Sequence, residues 1–165
     1  MPPADLIRPP TRIKDKVPPT GGPDPRMAIL RALGAAQTLV EDYQGWAVDD
    51  LEALWRAFRD VKSKSAAQRQ KDIATMFDIA HEIRGQGGTF GFPLISVVGD
   101  SLCKFLDRRK TLSPPELEVV ELHILAMKAV FRQGLKGDGG GLIKELPALL
   151  RALCVRVDPT IQFDA

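Results

Sequence analysis

The sequence predicts an all-α protein, an antiparallel helical bundle. Three observations lead there. Apolar residues recur at spacings of three and four over successive stretches from Met27 onward, the signature of helices with one buried stripe. No two adjacent runs show the alternation of a sheet. Proline and glycine punctuate the chain between the stripes, as short inter-helix connections require.

Composition agrees. The chain has 165 residues with 44% hydrophobic and 27% charged, enough to bury a core and too apolar for wholesale disorder. Its 23 basic and 21 acidic side chains leave a formal net charge of +2, which gives no footprint for a nucleic-acid partner. Apolar runs fall short of the ~18–20 residues of a membrane span, and the N-terminus lacks the apolar core of a signal peptide. We therefore expect a cytoplasmic protein with no membrane partner. Cys103 and Cys154 match neither a zinc framework nor a disulfide scaffold, and are expected as buried, reduced thiols.

Taken in order, residues 1–25 hold eight of the thirteen prolines and read as a disordered, mildly basic tail. Residues 26–165 form the bundle domain. Its first stripe is Met27, Leu30, Ala32, Leu33, Ala36, Leu39 and Val40. Gly45 separates it from a second, Leu51, Leu54, Trp55 and Phe58, which Asp49 or Asp50 can cap. Ile73, Met76, Phe77, Ala80 and Ile83 make a third. Phe92-Pro93 breaks the chain and opens a fourth helix with Leu94, Ile95, Val98, Leu102, Phe105 and Leu106. Ser113-Pro114-Pro115 opens a fifth, with Ser113 as N-cap and a face of Leu117, Val120, Ile124, Met127 and Phe131. The glycines from Gly134 to Gly141 stop it. A last helix covers Pro147–Leu153 at least, and Val155-Arg156-Val157 reads as extended.

The third helix carries the chemistry. His81 lies at the edge of its apolar stripe, with Arg84 and Gly85 three and four residues on and therefore beside it. Helical side chains lean toward the N-terminus, so a large residue at 85 would lie across the His81 turn. Glycine leaves the imidazole uncovered. Gly85, Gly87 and Gly88 together cost about 3 kcal/mol if all are helical, a large part of the ~5–15 kcal/mol of a small domain. Either the helix ends at Gly85 or its bare surface has a use. Exposed imidazoles as a class titrate near neutrality and offer a nucleophilic nitrogen. A phosphoryl group placed on one is dianionic, and an adjacent guanidinium supplies donors and charge. Glu82, rotated about 100° round the helix, points elsewhere.

Ala80-His81-Glu82-Ile83-Arg84-Gly85, followed by Phe90-Gly91, resembles the signature of histidine-containing phosphotransfer (HPt) domains. Ile95, Val98 and Leu102 fall where that family packs the next helix on the phosphoacceptor helix. The resemblance implies a four-helix HPt-like core with additional helices, in a carrier of a two-component His–Asp phosphorelay. It implies His81 as phosphoacceptor, Arg84 as the residue steadying the phosphoryl oxygens and Gly85 as clearance for a receiver domain. The phosphoryl group would come from a receiver aspartate and pass to another response regulator. Such a carrier has no ATP-binding kinase domain and no cofactor of its own, because Mg²⁺ comes with the partner receiver. Its partners are receiver domains and a hybrid or sensor histidine kinase. Separately, a monomer is expected because the sequence shows no second obvious apolar surface.

Other readings are weaker. His81-Glu82-Ile83-Arg84 also resembles the phosphoacceptor box of sensor kinases, but Gly85-Gln86 follows where Thr-Pro or Asn-Pro is usual, and no ATP-binding boxes lie downstream. A dimeric, kinase-like phosphotransferase with a degenerate ATPase domain stays as an alternative, and the chain's length counts against it. Gly137–Gly141 lacks the Gly-Lys-Ser/Thr ending of a phosphate loop, and Gly85-Gln86-Gly87 follows a helix rather than a strand, unlike a dinucleotide fingerprint. His123 reads as a packed bundle residue rather than a metal ligand. From another class, the chain could be a helical module that docks on a receiver or kinase and inhibits it, with His81 unphosphorylated.

Overall fold

A computed structural model describes residues 21–22 and 24–163, with five α-helices among them. Residues 1–20 of the proline-rich leader lie outside them. The helices are α1 (Pro25–Ser63), α2 (Gln70–Thr89), α3 (Pro93–Leu106), α4 (Pro114–Arg132) and α5 (Leu142–Val157), with a short 3₁₀ turn at Ala66–Gln68. No strand occurs among the described residues, and none of these helices is long and apolar enough to cross a membrane.

Two expectations about helix boundaries change. The pair of helices expected on either side of Gly45 is a single element, so Asp49 and Asp50 lie inside it and cap nothing. The reason is cooperativity. Propagating a helix through one glycine costs about 1 kcal/mol, whereas a second helix needs a second, costly nucleus. The segment Val155–Val157 continues α5 and is not extended. Its β-branched valines tolerate helix once Cys154 is anchored in the core.

The chain divides near residue 39. In Met1–Leu39 the described helical residues Met27, Ile29, Leu30, Leu33 and Leu39 are exposed, so this stripe does not face a core. The unit Val40–Ala165 contains the hydrophobic core. Ala47, Leu51, Leu54, Phe58 and Val61 of α1 meet Ile73, Met76, Ala80 and Ile83 of α2 and the apolar faces of α3 and α4. Side-chain pairs show the helix directions. Lys62 pairs with Glu121 at 3.3 Å and Lys128 lies over Trp55 at 4.7 Å, so α1 and α4 run antiparallel. Arg109 binds Glu116 while Ser101 meets His123, so α3 and α4 do too. Phe92-Pro93 starts α3 and Ser113 caps α4 as the sequence predicts, with the Glu116 carboxylate accepting the Ser113 N–H at 2.6 Å. In the run before α5, Gly139, Gly140 and Gly141 all take positive φ, which only glycine adopts at low cost.

His123 is fully buried, as a packed bundle histidine. Its Nδ1–H donates to Val119 O at 2.8 Å, which leaves Nε2 to accept the Ser101 hydroxyl at 2.9 Å. Burial pushes the imidazole down to about 4. The unfolded chain, with an ordinary histidine, then binds more protons between about pH 6.5 and 4 than the folded one. Stability accordingly falls as the pH drops through that window, by on the order of 3 kcal/mol. Urea unfolding at stepped pH should show this loss, and His123→Gln should flatten it even where the variant is less stable at neutral pH.

Candidate functional site

The helix α2 does not stop at Gly85. It runs through Gly85, Gly87 and Gly88 to Thr89, and the structure separates the roles of the three glycines. A Cβ on Gly87 would stand 3.0 Å from both Ile95 Cβ and Ser96 Oγ. Gly87 is therefore where α2 and α3 cross closely. At Gly88 the Ser96 hydroxyl accepts the backbone N–H at 2.7 Å and donates to Arg84 O at 2.7 Å, joining the two ends of one helical step. Gly85 meets nothing: a Cβ there would have no atom within 4 Å. Of these three, packing demands glycine at position 87 alone: a Cβ on Gly88 would lie 3.4 Å from Ser96 Oγ, an ordinary contact, and Gly85 faces open space. Gly87→Leu should cost about 2–3 kcal/mol, because a branched side chain must push Ile95 and its backbone aside. Its urea midpoint should fall well below that of Gly85→Ala, which should gain a few tenths to about 1 kcal/mol.

After Thr89 the chain turns through Gly91, whose φ of 88° lets α3 double back along α2. Contacts run in opposite sense on the two helices: Gly87 with Ile95, then Arg84 with Gly99 and Asp100. Gly99 matters here, since a Cβ on it would be 3.1 Å from Arg84 Cβ. Its absence lets the Arg84 stem lie against α3 while the guanidinium reaches the surface.

The resulting site sits on the flank of α2. His81 is exposed, with its ring stacked at 6.1 Å from that of Phe77. Arg84 Nη2 lies 2.9 Å from His81 Nε2. A guanidinium can only donate, so Nε2 is the acceptor and carries the lone pair, and the ring proton belongs on Nδ1. The other arm of Arg84 reaches Asp100 Oδ1 at 3.1 Å, and Lys104 Nζ lies 3.2 Å from Asp100 Oδ2. An open hollow beside the imidazole is lined by Phe77, His81, Arg84, Cys103, Lys104, Asp107, Ile161 and Gln162. Burial pushes the Cys103 thiol up to about 11, so it stays protonated and unreactive. Cys154 is also buried and unpaired in a disulfide. Glu82 faces the other way: after burial itself, its charge is the main influence raising the Asp50 carboxyl of α1.

The structure thus brings together all three residues singled out from the sequence, His81, Arg84 and Gly85, on one face. It adds Ser96, Gly99, Asp100 and Lys104 from α3, and Ile161 and Gln162 from beyond α5. Gly99, a glycine within the apolar stripe of α3, was the one legible signal of close helix approach. Among the described residues no three His, Cys, Asp or Glu side chains converge as a metal site. Chemically the site offers an exposed imidazole with its Nε2 lone pair turned to the Arg84 cation, and open space beside it at Gly85.

The family model of the Hpt domain matches residues 38–153. This chain belongs to the Hpt domain family. No curated protein and no solved structure matches it. Hpt domains are phosphocarrier modules without kinase activity, and they interact with receiver domains and histidine kinases. Membership places the chain in two-component signalling by His–Asp phosphorelay, and the all-α bundle agrees with it.

Proposed function

We propose that His81 is the phosphoacceptor, taking a phosphoryl group from a receiver aspartate and passing it to another response regulator. The observation that carries this reading is the exposed His81 ring whose Nε2 lies 2.9 Å from Arg84 Nη2, beside an unobstructed Gly85. In the forward step Nε2 attacks phosphorus in line. The Nε2–P bond forms as the aspartyl O–P bond breaks, the aspartate leaves as a carboxylate, and the Nδ1 proton is free to pass to solvent. Arg84 already points at Nε2, so a small rotation moves its donors from the nitrogen onto the arriving oxygens. Positioning and charge are most of what phosphoryl transfer asks of a protein. The Mg²⁺ that offsets phosphoryl charge is the receiver's contribution. The same reading has the chain at work in the cytoplasm as a monomer, with neither nucleic acid nor membrane as partner.

The test is transfer from a phosphorylated receiver to the full chain. Acid-labile, alkali-stable phosphate on the peptide holding His81 is expected. A complex that forms with the receiver and leaves the chain unlabelled would instead favour an inhibitory docking module.

A further inference from the structure

Beyond α5 the chain does not simply end at the surface. Asp158 is bound by Arg109, the same guanidinium that binds Glu116 and the Phe105 carbonyl. The Asp158 carboxylate also accepts the Thr160 N–H at 3.0 Å and its hydroxyl, and Ile161 N donates to Asp158 O at 3.2 Å, which closes a turn. Ile161 and Phe163 pack on the core, and Arg151 lies 5.6 Å from the Phe163 ring. The segment Asp158–Phe163 is held as a strap, and the strap brings Ile161 and Gln162 into the hollow beside His81. It lies past residue 153, where the match to the family ends.

We propose that this strap is a specificity-determining wall of the receiver-docking face, with Ile161 and Gln162 touching the incoming receiver. The proposal rests on His81 being the phosphoacceptor. A receiver that delivers its phosphoryl group to Nε2 must bring its aspartate to the mouth of the hollow. A specific complex covers roughly 800 Å² on each partner, far more than the mouth itself, so the walls fall inside the contact. Ile161 offers a half-buried apolar contact and Gln162 an exposed amide that donates and accepts. Both lie outside the helices that hold the phosphoacceptor, so they can vary without disturbing the chemistry. That is the arrangement expected of residues that choose between partners.

The test uses the full chain and the variants Gln162→Lys, Gln162→Glu and Ile161→Ser. Each is charged with phosphoramidate, whose P–N bond breaks as the His81 N–P bond forms and ammonia leaves. Each charged protein is then mixed singly with purified receiver domains that accept phosphate from the unaltered chain. The ratio of transfer rates between receivers should change at least about fivefold in one or more variants, the size expected of an interface contact. The ratio compares two receivers on one charged protein, so neither the phosphohistidine lifetime without receiver nor the packing that Ile161→Ser gives up at the core enters it. Unchanged ratios in all three variants would overturn the proposal, as would an effect confined to the lifetime. Failure of the unaltered chain to accept phosphate on His81 would be a different result, striking the phosphoacceptor assignment itself.

Discussion

Substituting His81 by Gln is expected to abolish acid-labile phosphate on the chain while leaving its unfolding transition in place. The amide nitrogen of glutamine has no available lone pair for attack on phosphorus, so loss should reach the detection floor rather than a reduced rate. Stability should hold because the ring is exposed and outside the core cluster. Glutamine is also at least as good a helix former as histidine. Its side chain can still meet Arg84, so the surface around the site should keep its shape and its affinity for a receiver. Labelling that persists in His81→Gln at the rate of the unaltered chain would move the acceptor elsewhere. His123 could not replace it, because that ring is buried with both nitrogens engaged.

Gly85→Glu should slow transfer by about 100-fold and, unusually for an inactivating change, make the helix more stable. The space beyond Gly85 is empty, so no packing is lost. Replacing an exposed helical glycine gains on the order of 0.5–1 kcal/mol. The new carboxylate would lie toward the His81 turn, where it competes for Arg84 and repels a dianionic phosphoryl group. Like charges brought together at an interface cost several kcal/mol, and about 2.7 kcal/mol already amounts to 100-fold. Stopped transfer assays with Gly85→Gln alongside would separate charge from bulk. A Gly85→Glu protein that transfers at the ordinary rate would remove the clearance role from this position.

Most of the helical core was legible because its information is local. The stripes at Ile73–Ile83, Leu94–Leu106 and Leu117–Met127 are short-range periodicities, and nearly all their members are buried. The candidate face was legible for the same reason, since His81, Arg84 and Gly85 sit within two helical turns. What escaped was long-range or depended on competition between weak terms. Gly45 looked like a stop because its cost is visible in sequence, whereas the cooperativity that overrides it is not. The stripe from Met27 to Leu39 looked like a core face, and only tertiary packing decides whether such a stripe is covered. Asp100 is sixteen residues from its partner Arg84, and Ile161 is separated from His81 by three helices. No spacing rule links such pairs. The glycines of Gly85-Gln86-Gly87-Gly88, read as one feature, resolved into a helix crossing at Gly87, a hydroxyl bridge at Gly88 and open space at Gly85.

If His81 is the phosphoacceptor proposed above, its place in one hollow has a consequence for traffic through the protein. On that reading donor and acceptor would occupy the same seat in turn, and no complex of both with the carrier would form around His81. An abundant idle receiver would then act as a brake, occupying the seat and holding back flux to its rivals. The order in which messages leave would follow the relative abundance and affinity of the listeners, with no gate needed in the carrier itself.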